Sequence, residues 1–181
     1  VKTKDGWKAV LNPDVVARLR FDDETYNLLT QAKLQGKDLA DWKARARDAR
    51  GFVRALEMRY STITAVAQTI ADMQEAFFTE GPKALKPMGL KDIAARLGLS
   101  ESTVSRAAAG KYLQSPSGTF ELKYFFSSAL AGDDGQTASA AAARQLIVEA
   151  VAKENPAKPL SDAAIAEILA SHGIHLARRT V

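Results

Sequence analysis

The sequence contains no cysteine and only two histidines, and none of its apolar runs approaches the roughly 18 residues that a membrane-spanning helix needs. The lack of cysteine excludes disulfide bonds and thiolate metal sites and fits a reducing compartment. The beginning of the chain carries no signal-peptide pattern. The sequence therefore predicts neither a membrane span nor a disulfide-stabilised fold.

Signals for catalysis are equally scarce. The sequence has no glycine-rich phosphate loop and no serine-nucleophile turn. The two histidines, His172 and His175, flank Gly173, where they are typical of a helix end, and His172 can satisfy terminal carbonyls there. Asp133 and Asp134 lie between glycines but lack the spaced oxygen ligands of an EF-hand loop. We expect no enzymatic activity, no metal and no other cofactor.

Length and charge leave several architectures open. The chain has 181 residues, of which 46% are hydrophobic, enough for one sizeable domain or two small ones. A net charge of +4 and a pI near 9.3 suit a polyanionic partner, although many proteins without such a partner are equally basic. Because the chain starts with Val1 rather than methionine, we expect it to be a piece of a longer protein.

Residues 90–110 have the pattern of two short helices that cross at a tight turn. The inward positions of the first helix and the turn are apolar or small, namely Ile93, Ala94, Leu97 and Leu99. Gly98 can adopt the positive φ that ends a helix. Ser100 is a good N-cap for a second helix, in which Val104 and Ala107 would point inward.

The outward face of the second predicted helix carries hydrogen-bonding side chains, which are Glu101, Ser102, Ser105 and Arg106. Such groups suit the base edges in a DNA groove, and this favours a DNA-binding helix-turn-helix. The alternative is a corner between two helices of an ordinary helical domain, because this spacing of small and apolar residues also arises by chance.

The following segment is more specific. The chain closely resembles the enhancer-dependent, nitrogen-type bacterial sigma factor family in two stretches, Glu101–Arg106 and Lys111–Ser127. The resemblance extends to Lys86–Met88, Glu154–Asp162 and Ala177–Val181, the last of which matches the start of the family's signature box. It covers nearly the whole chain and is strongest from Lys86 onward.

The resemblance implies a transcription initiation factor. Its partners would be core RNA polymerase, double-stranded promoter DNA and, for the full-length protein, a separate ATP-driven AAA+ activator; no membrane partner is implied. A helix from Ser102 to Arg106 would read a downstream GC promoter element, and a helix starting at Arg178 and Arg179 would read an upstream element. The predicted DNA-binding residues are Ser100, Glu101, Ser102, Ser105, Arg106, Lys111, Arg178, Arg179 and Thr180. The implied location is the bacterial cytoplasm, in association with the nucleoid.

The chain departs from the family's pattern in three ways. The signature box continues past the position of Val181, so this chain holds only the beginning of the second recognition helix. Ser117 stands where the family commonly has arginine, which removes one charge that would position the DNA backbone. Ser100 stands where a histidine is frequent.

Before Lys86 the sequence predicts a helical hairpin. Asn12–Pro13 suits a helix start. Apolar residues then recur at helical spacing, with a break at Gly36–Asp38 and a stop at Gly81–Pro82. The longest series runs from Leu39 to Tyr60, and a second one runs from Ile63 to Phe77. We predict that these two series form separate helices that fold back as an antiparallel pair.

Basic residues accompany the first long helix, namely Lys43, Arg45, Arg47, Arg50, Arg54 and Arg59. One interpretation is a solvated face, because Asp41, Asp48 and Glu57 partly balance the charge. The other is a surface for nucleic acid or for an acidic protein. By resemblance, the segment before Lys86 corresponds to the part that docks onto core RNA polymerase. The predicted polymerase contacts are Arg47, Arg50 and Arg54.

The end of the chain repeats the helix-turn-helix logic. Gly132–Thr137 breaks the regular pattern and predicts a flexible linker, after which an alanine-rich helix begins. Ser161 would cap a further helix, Gly173 would end it, and Arg178 and Arg179 would open the next.

The predicted fold is all-α. It comprises a helical hairpin or bundle as core-binding domain (residues 1–82), a central helix-turn-helix domain (83–131), a linker (132–138) and a truncated C-terminal helix-turn-helix domain (139–181). The alternative function is a helical protein-interaction scaffold without DNA binding, in which these motifs serve only as packing units.

Overall fold

The computed structural model describes residues 1–4, 6–31, 37–127, 129–131, 137–155 and 159–176, and most of these residues are helical. The helices are α1 (Asp23–Gln31), α2 (Lys37–Met73), α3 (Glu75–Glu80), α4 (Leu90–Leu97), α5 (Glu101–Ala108), α6 (Ala140–Ala152) and α7 (Asp162–Ser171). Two 3₁₀ turns cover Pro82–Ala84 and Leu122–Phe125. No helix in this described part is both long enough and apolar enough to cross a membrane.

Short strands complete the described secondary structure. They are β1 (Lys2–Thr3), β2 (Gly6–Trp7), β3 (Tyr112–Ser115), β4 (Gly118–Glu121), β5 (Ala129–Ala131) and β6 (Thr137–Ser139). Each odd-numbered strand pairs antiparallel with the next strand, which gives three two-stranded sheets among the described residues. The expectation of a mostly helical protein is confirmed. The all-α prediction is wrong at these sheets, because such short strands leave little alternation to detect in a sequence.

The chain divides into two compact units. The small unit is Val10–Thr64, and the main unit combines Val1–Ala9 with Ala65–Val181. The small unit contains α1 and the residues of α2 up to Thr64, and none of its described side chains is buried. All buried core residues of the described chain belong to the main unit. The predicted domain boundaries after residues 82 and 131 stay predictions.

Helix α2 continues over 37 residues without interruption. The predicted antiparallel pair, with one helix ending near Tyr60 and another starting near Ile63, is therefore wrong. No glycine or proline interrupts the chain at this point. The Thr62 hydroxyl there donates to the Met58 carbonyl at 2.8 Å, so it is satisfied inside the helix. The two apolar series predicted as separate helices are successive parts of one helix.

An aromatic cluster forms the centre of the main unit. Its members are Trp7, Phe77, Phe78, Phe120, Tyr124 and Phe125. Phe77 is fully buried, and its ring centroid lies 4.8 Å from that of Phe125 and 5.1 Å from that of Phe120, both edge-on. This arrangement is favoured by the ring quadrupoles. Partial burial here raises the pKa of Tyr124 above its usual value. Through this cluster, α3 supports the strands that follow α5.

Gln74 connects the end of α2 to the chain that enters α4. Its side chain is buried; the amide donates to Lys86 O at 2.8 Å, and the amide oxygen accepts from Lys86 N at 2.9 Å. The Gln74 side chain therefore satisfies both the backbone N–H and the backbone C=O of Lys86, which lies in neither a helix nor a strand. Downstream, Gly89 N donates to the Asp92 carboxylate at 2.7 Å and begins α4.

Helices α6 and α7 share an apolar core formed by Ala143, Leu146, Ile165, Leu169 and Ile174. Ser139 caps α6: its hydroxyl accepts from Ala141 N at 3.2 Å and lies 2.6 Å from the Ser127 hydroxyl. Residues 137 and 138 of the predicted linker belong to β6, and the linker itself stays a prediction. Residues 132–136 of that prediction lie outside the described residues.

Candidate nucleic-acid interface and the basic helix

Helices α4 and α5 are joined by the tight turn that the sequence predicts. Gly98 has φ of +64° and ends α4 in the left-handed region. The Ser100 hydroxyl accepts from Thr103 N at 3.3 Å and caps α5. Ile93 and Val104 are fully buried and face the core of the main unit. The predictions for the turn glycine, the N-cap and these two inward residues are confirmed.

Three predicted DNA-reading side chains are exposed on α5, and these are Glu101, Ser102 and Arg106. Ser105 is half-buried, and the hydroxyl of exposed Ser100 is engaged in the cap. Lys111 is also half-buried, and its ammonium group donates to Ala109 O at 3.2 Å. Among the predicted readers on and next to α5, Glu101, Ser102 and Arg106 are therefore the side chains open to a ligand.

A β-hairpin made of β3 and β4 begins four residues after α5 ends, and it was not among the predicted elements. Tyr112 pairs with Glu121, and Gln114 pairs with Thr119. In β3 the side chains alternate between exposed and half-buried. That alternation, followed by proline, serine and glycine at 116–118, is a hairpin signal that could have identified it.

Positive charge is concentrated around these elements. Between residues 83 and 125 the chain has seven lysines and arginines against three acidic residues. The remaining residues hold 18 basic and 18 acidic side chains, since the whole chain has 25 and 21. The net charge of +4 therefore equals the excess in the segment that contains α4, α5 and the hairpin. Such a local excess attracts polyanions.

The second predicted DNA-reading segment is described only up to its turn. Ser161 caps α7 by accepting from Ala164 N at 3.3 Å, and Gly173 follows the helix with φ of +78°. His172 Nδ1 lies 2.9 Å from Ile168 O, so the expected contact with a terminal carbonyl is confirmed. The predicted DNA contacts Arg178, Arg179 and Thr180 lie outside the described residues.

In the small unit, Arg50 joins α1 to α2. Its guanidinium carbon lies 4.6 Å from the ring centroids of both Phe21 and Tyr26, and its Nη2 lies 2.5 Å from the Asp23 carboxylate. The Tyr26 ring also stacks on Trp42 at 5.3 Å. Arg50 is therefore occupied by contacts within the chain.

The neighbouring arginines on α2 have a different environment. Arg47 and Arg54 are exposed, and neither forms an ion pair within the part of the chain that the structure describes. Their seven-residue separation places them on one face of the helix.

At the start of α1, hydrogen bonds from the hydroxyl and amide of Thr25 lower the pKa of the Asp22 carboxyl. Asp22 thereby caps the helix that Arg50 holds.

Comparison with known proteins decides the family. The family model for the sigma-54 DNA-binding domain matches residues 40–181. The chain belongs to the sigma-54 family. This confirms the resemblance found in Glu101–Arg106 and Lys111–Ser127.

Curated sigma-54 relatives cover nearly all of this chain. The chain is 42% identical over 175 residues to the RNA polymerase sigma-54 factor of Escherichia coli K12, which covers 97% of this chain and 36% of that protein. It is 41% identical over 180 residues to the Shewanella violacea factor, which covers 99% of this chain and 36% of that protein. The chain thus spans about a third of the length of these relatives.

A solved sigmaN structure is similar in fold. The crystal structure of Aquifex aeolicus sigmaN bound to promoter DNA matches with a TM-score of 0.54 and 29% identity, over 94% of this chain and 50% of that chain. The likeness therefore extends over both the small unit and the main unit.

The Arg50 contacts give a prediction for the small unit of this sigma-54 chain. Replacing Arg50 with alanine should speed hydrogen exchange of the α1 amides roughly 5- to 30-fold, since it removes a cation–π pair and an exposed ion pair that together contribute about 1–2 kcal/mol. Hydrogen exchange followed by mass spectrometry measures this directly. Arg54→Ala, which removes an exposed arginine from the same helix, is the control. Equal exchange in both variants would contradict the assigned role of Arg50.

Proposed function

We propose that this chain is the promoter-reading part of a sigma-54 transcription initiation factor and that α4 and α5 act as its helix-turn-helix. The observation that carries the proposal is the outer face of α5. Glu101, Ser102 and Arg106 are exposed there, while Val104 and Ala107 on the opposite side are buried. A capped helix held by its inner face can present these polar side chains to base edges in a major groove.

Arg106 is the strongest base-reading candidate on this face. Its guanidinium can donate two hydrogen bonds to the O6 and N7 atoms of one guanine, which discriminates that base pair from the others. Ser102 lies one helical turn before Arg106, and Glu101 lies at the first position of α5; both are exposed and can select neighbouring bases. The local excess of positive charge adds an affinity that does not depend on sequence. A guanine-reading arginine within a positively charged segment supports recognition of a GC-containing downstream promoter element.

The partners in this proposal are double-stranded promoter DNA and core RNA polymerase. The curated relatives carry RNA polymerase in their names, and the similar Aquifex aeolicus protein is described as bound to promoter DNA. Arg47 and Arg54 remain candidate polymerase contacts because their charges are free among the described residues. Arg50 is the weaker candidate, since its guanidinium already binds Asp23. Promoter opening would need a separate ATP-driven AAA+ activator acting on the full-length protein.

The segment after α7 would form a second reading element through Arg178, Arg179 and Thr180. Two modest contacts joined in one chain bind a correctly spaced pair of promoter elements more tightly than either contact alone, because the first contact raises the effective concentration of the second. The protein would act in the bacterial cytoplasm, at the nucleoid, without a membrane partner.

Duplex binding measured as a function of salt tests the proposal. We expect the chain to prefer a duplex with the GC element over a scrambled duplex by about tenfold or more, the contribution of one good bidentate base contact. Both affinities should fall as salt rises, because phosphate contacts release counterions. Absence of binding to either duplex even at low salt would overturn the proposal and favour the protein-interaction scaffold.

A further inference from the structure

The β3–β4 hairpin has one face with no partner in the described chain, and it begins four residues after α5 ends. We propose that this hairpin is a second DNA contact, whose neutral polar face lies against the sugar–phosphate backbone beside the groove that α5 enters. The contact face is defined by Tyr112, Gln114 and Thr119. The inference rests on the proposed function, because it assumes that α5 approaches a duplex.

The register of the hairpin separates its two faces. Gln114 and Thr119 are direct partners across the strands, so their side chains share one face with Tyr112, and all three are exposed. Tyr112 is 71% exposed. Phe120 lies on the other face, with its ring 5.1 Å from that of buried Phe77. One face is therefore anchored in the core and the other is available.

Several contacts fix the direction of the hairpin relative to α5. Gly110 N donates to the Glu121 carboxylate at 3.0 Å, and Leu122 N donates to Lys111 O at 2.8 Å. The hairpin is thus held at its base, so little ordering would be needed when it meets a ligand.

The distance between the two elements suits neighbouring parts of one duplex. Four Cα steps separate the last residue of α5 from Tyr112, a span of at most about 14 Å. The major groove of B-DNA is about 12 Å wide. When α5 occupies the groove, a backbone strand that borders the groove therefore lies within reach of the hairpin.

The chemistry of this face favours nucleic acid over an acidic or apolar protein surface. Hydroxyl and amide side chains are common donors to phosphate oxygens. The one carboxylate in register with the face, Glu121, is half-buried and already accepts from Gly110 N. The surrounding segment also carries the whole excess of positive charge. A phosphate backbone matches both the donors and the charge.

The first test removes the polar groups from the face. A Tyr112→Phe, Gln114→Ala, Thr119→Ala triple variant of the full chain should bind matched and scrambled duplexes about 5- to 10-fold more weakly, because contacts to the backbone carry no sequence information. The preference for the matched duplex should stay unchanged. The salt dependence should also stay unchanged, because neutral groups displace no counterions. Circular dichroism would confirm that the variant is folded.

The second test adds a charge at the exposed tip. Ser117→Arg should strengthen binding to both duplexes and steepen the slope of log affinity against log salt by about one unit, as one new phosphate contact would. Val148→Arg adds the same charge at an exposed position on α6 and serves as the matched control. The tip variant should exceed this control on both measures.

The outcomes separate the hairpin contact from the proposed function. Unchanged affinity in the folded triple variant, or equal effects of Ser117→Arg and Val148→Arg, would overturn the hairpin contact. A loss confined to the matched duplex would also overturn backbone contact, because it would indicate base reading. If the unsubstituted chain showed no preference for the matched duplex, the proposed function would fail instead. The hairpin contact would still be tested by the affinity of the triple variant for the scrambled duplex, compared with that of the unsubstituted chain.

Discussion

Replacing Phe77 with alanine is expected to lower the free energy of unfolding of the main unit by about 3–5 kcal/mol, the usual cost of deleting a buried phenyl ring. Phe77 is fully buried, and its ring contacts the rings of Phe78, Phe120 and Phe125. The substitution leaves a cavity among groups that come from separate parts of the chain. Denaturant unfolding followed by circular dichroism measures the loss.

A matched control separates this core effect from the loss of any phenyl ring. Phe52 on α2 is 58% exposed, so Phe52→Ala should change stability by no more than about 0.5 kcal/mol. Phe77→Leu keeps much of the buried volume and should fall between the two. If Phe77→Ala lost less than about 1 kcal/mol, the aromatic cluster would not be the core that supports the hairpin.

The second large effect is expected on DNA binding. Arg106→Ala should weaken binding to a matched duplex by about 1–3 kcal/mol and relax the preference at one base pair, because a bidentate contact to guanine is lost. Arg106 is exposed on α5, so its removal should leave the fold intact. Titrations with matched and scrambled duplexes at one salt concentration measure the change.

Two further variants assign the role of Arg106. Arg106→Lys keeps the positive charge but cannot form the planar bidentate contact, so it should retain binding to the scrambled duplex while losing the preference. Arg96→Ala removes an exposed arginine from α4 and should affect both duplexes equally. Equal losses on the two duplexes for Arg106→Ala would identify a phosphate contact instead of base reading. Unchanged binding would remove Arg106 from the interface.

The α4–α5 turn was predictable because its determinants are local. A glycine with positive φ, a serine cap and two inward apolar residues each act within a few residues of their own position. Gly98, Ser100, Ile93 and Val104 behave in the structure as these rules require. The exposure of Glu101, Ser102 and Arg106 follows from the same helical periodicity.

Helix α2 differs from the predicted pair of helices because periodicity does not show what each part of a helix packs against. The α2 residues before Thr64 belong to the small unit, and those after it belong to the main unit. The set of apolar residues changes where the packing partners change, and this resembles the boundary between two helices. The backbone continues because nothing at that boundary interrupts its hydrogen bonds.

The role of Arg50 could not be predicted from its place in a basic series. Arg47, Arg50 and Arg54 look equivalent in the sequence, yet within the described residues only Arg50 lies between two aromatic rings and beside Asp23. These partners come from α1 and from the segment just before it. Which arginine they meet depends on the packing of α1 against α2, and no local rule gives that arrangement.

The sequence by itself determined the family, the mostly helical character and the capped pair of short helices, since these depend on motifs and on interactions between near neighbours. Tertiary structure decided the continuity of α2, the place of Arg50 and the hairpin after α5. The hairpin strands have only four residues each, and Phe120 is anchored by Phe77, more than 40 residues earlier in the chain. A short strand pair gains its stability from such distant packing, which a local pattern does not contain.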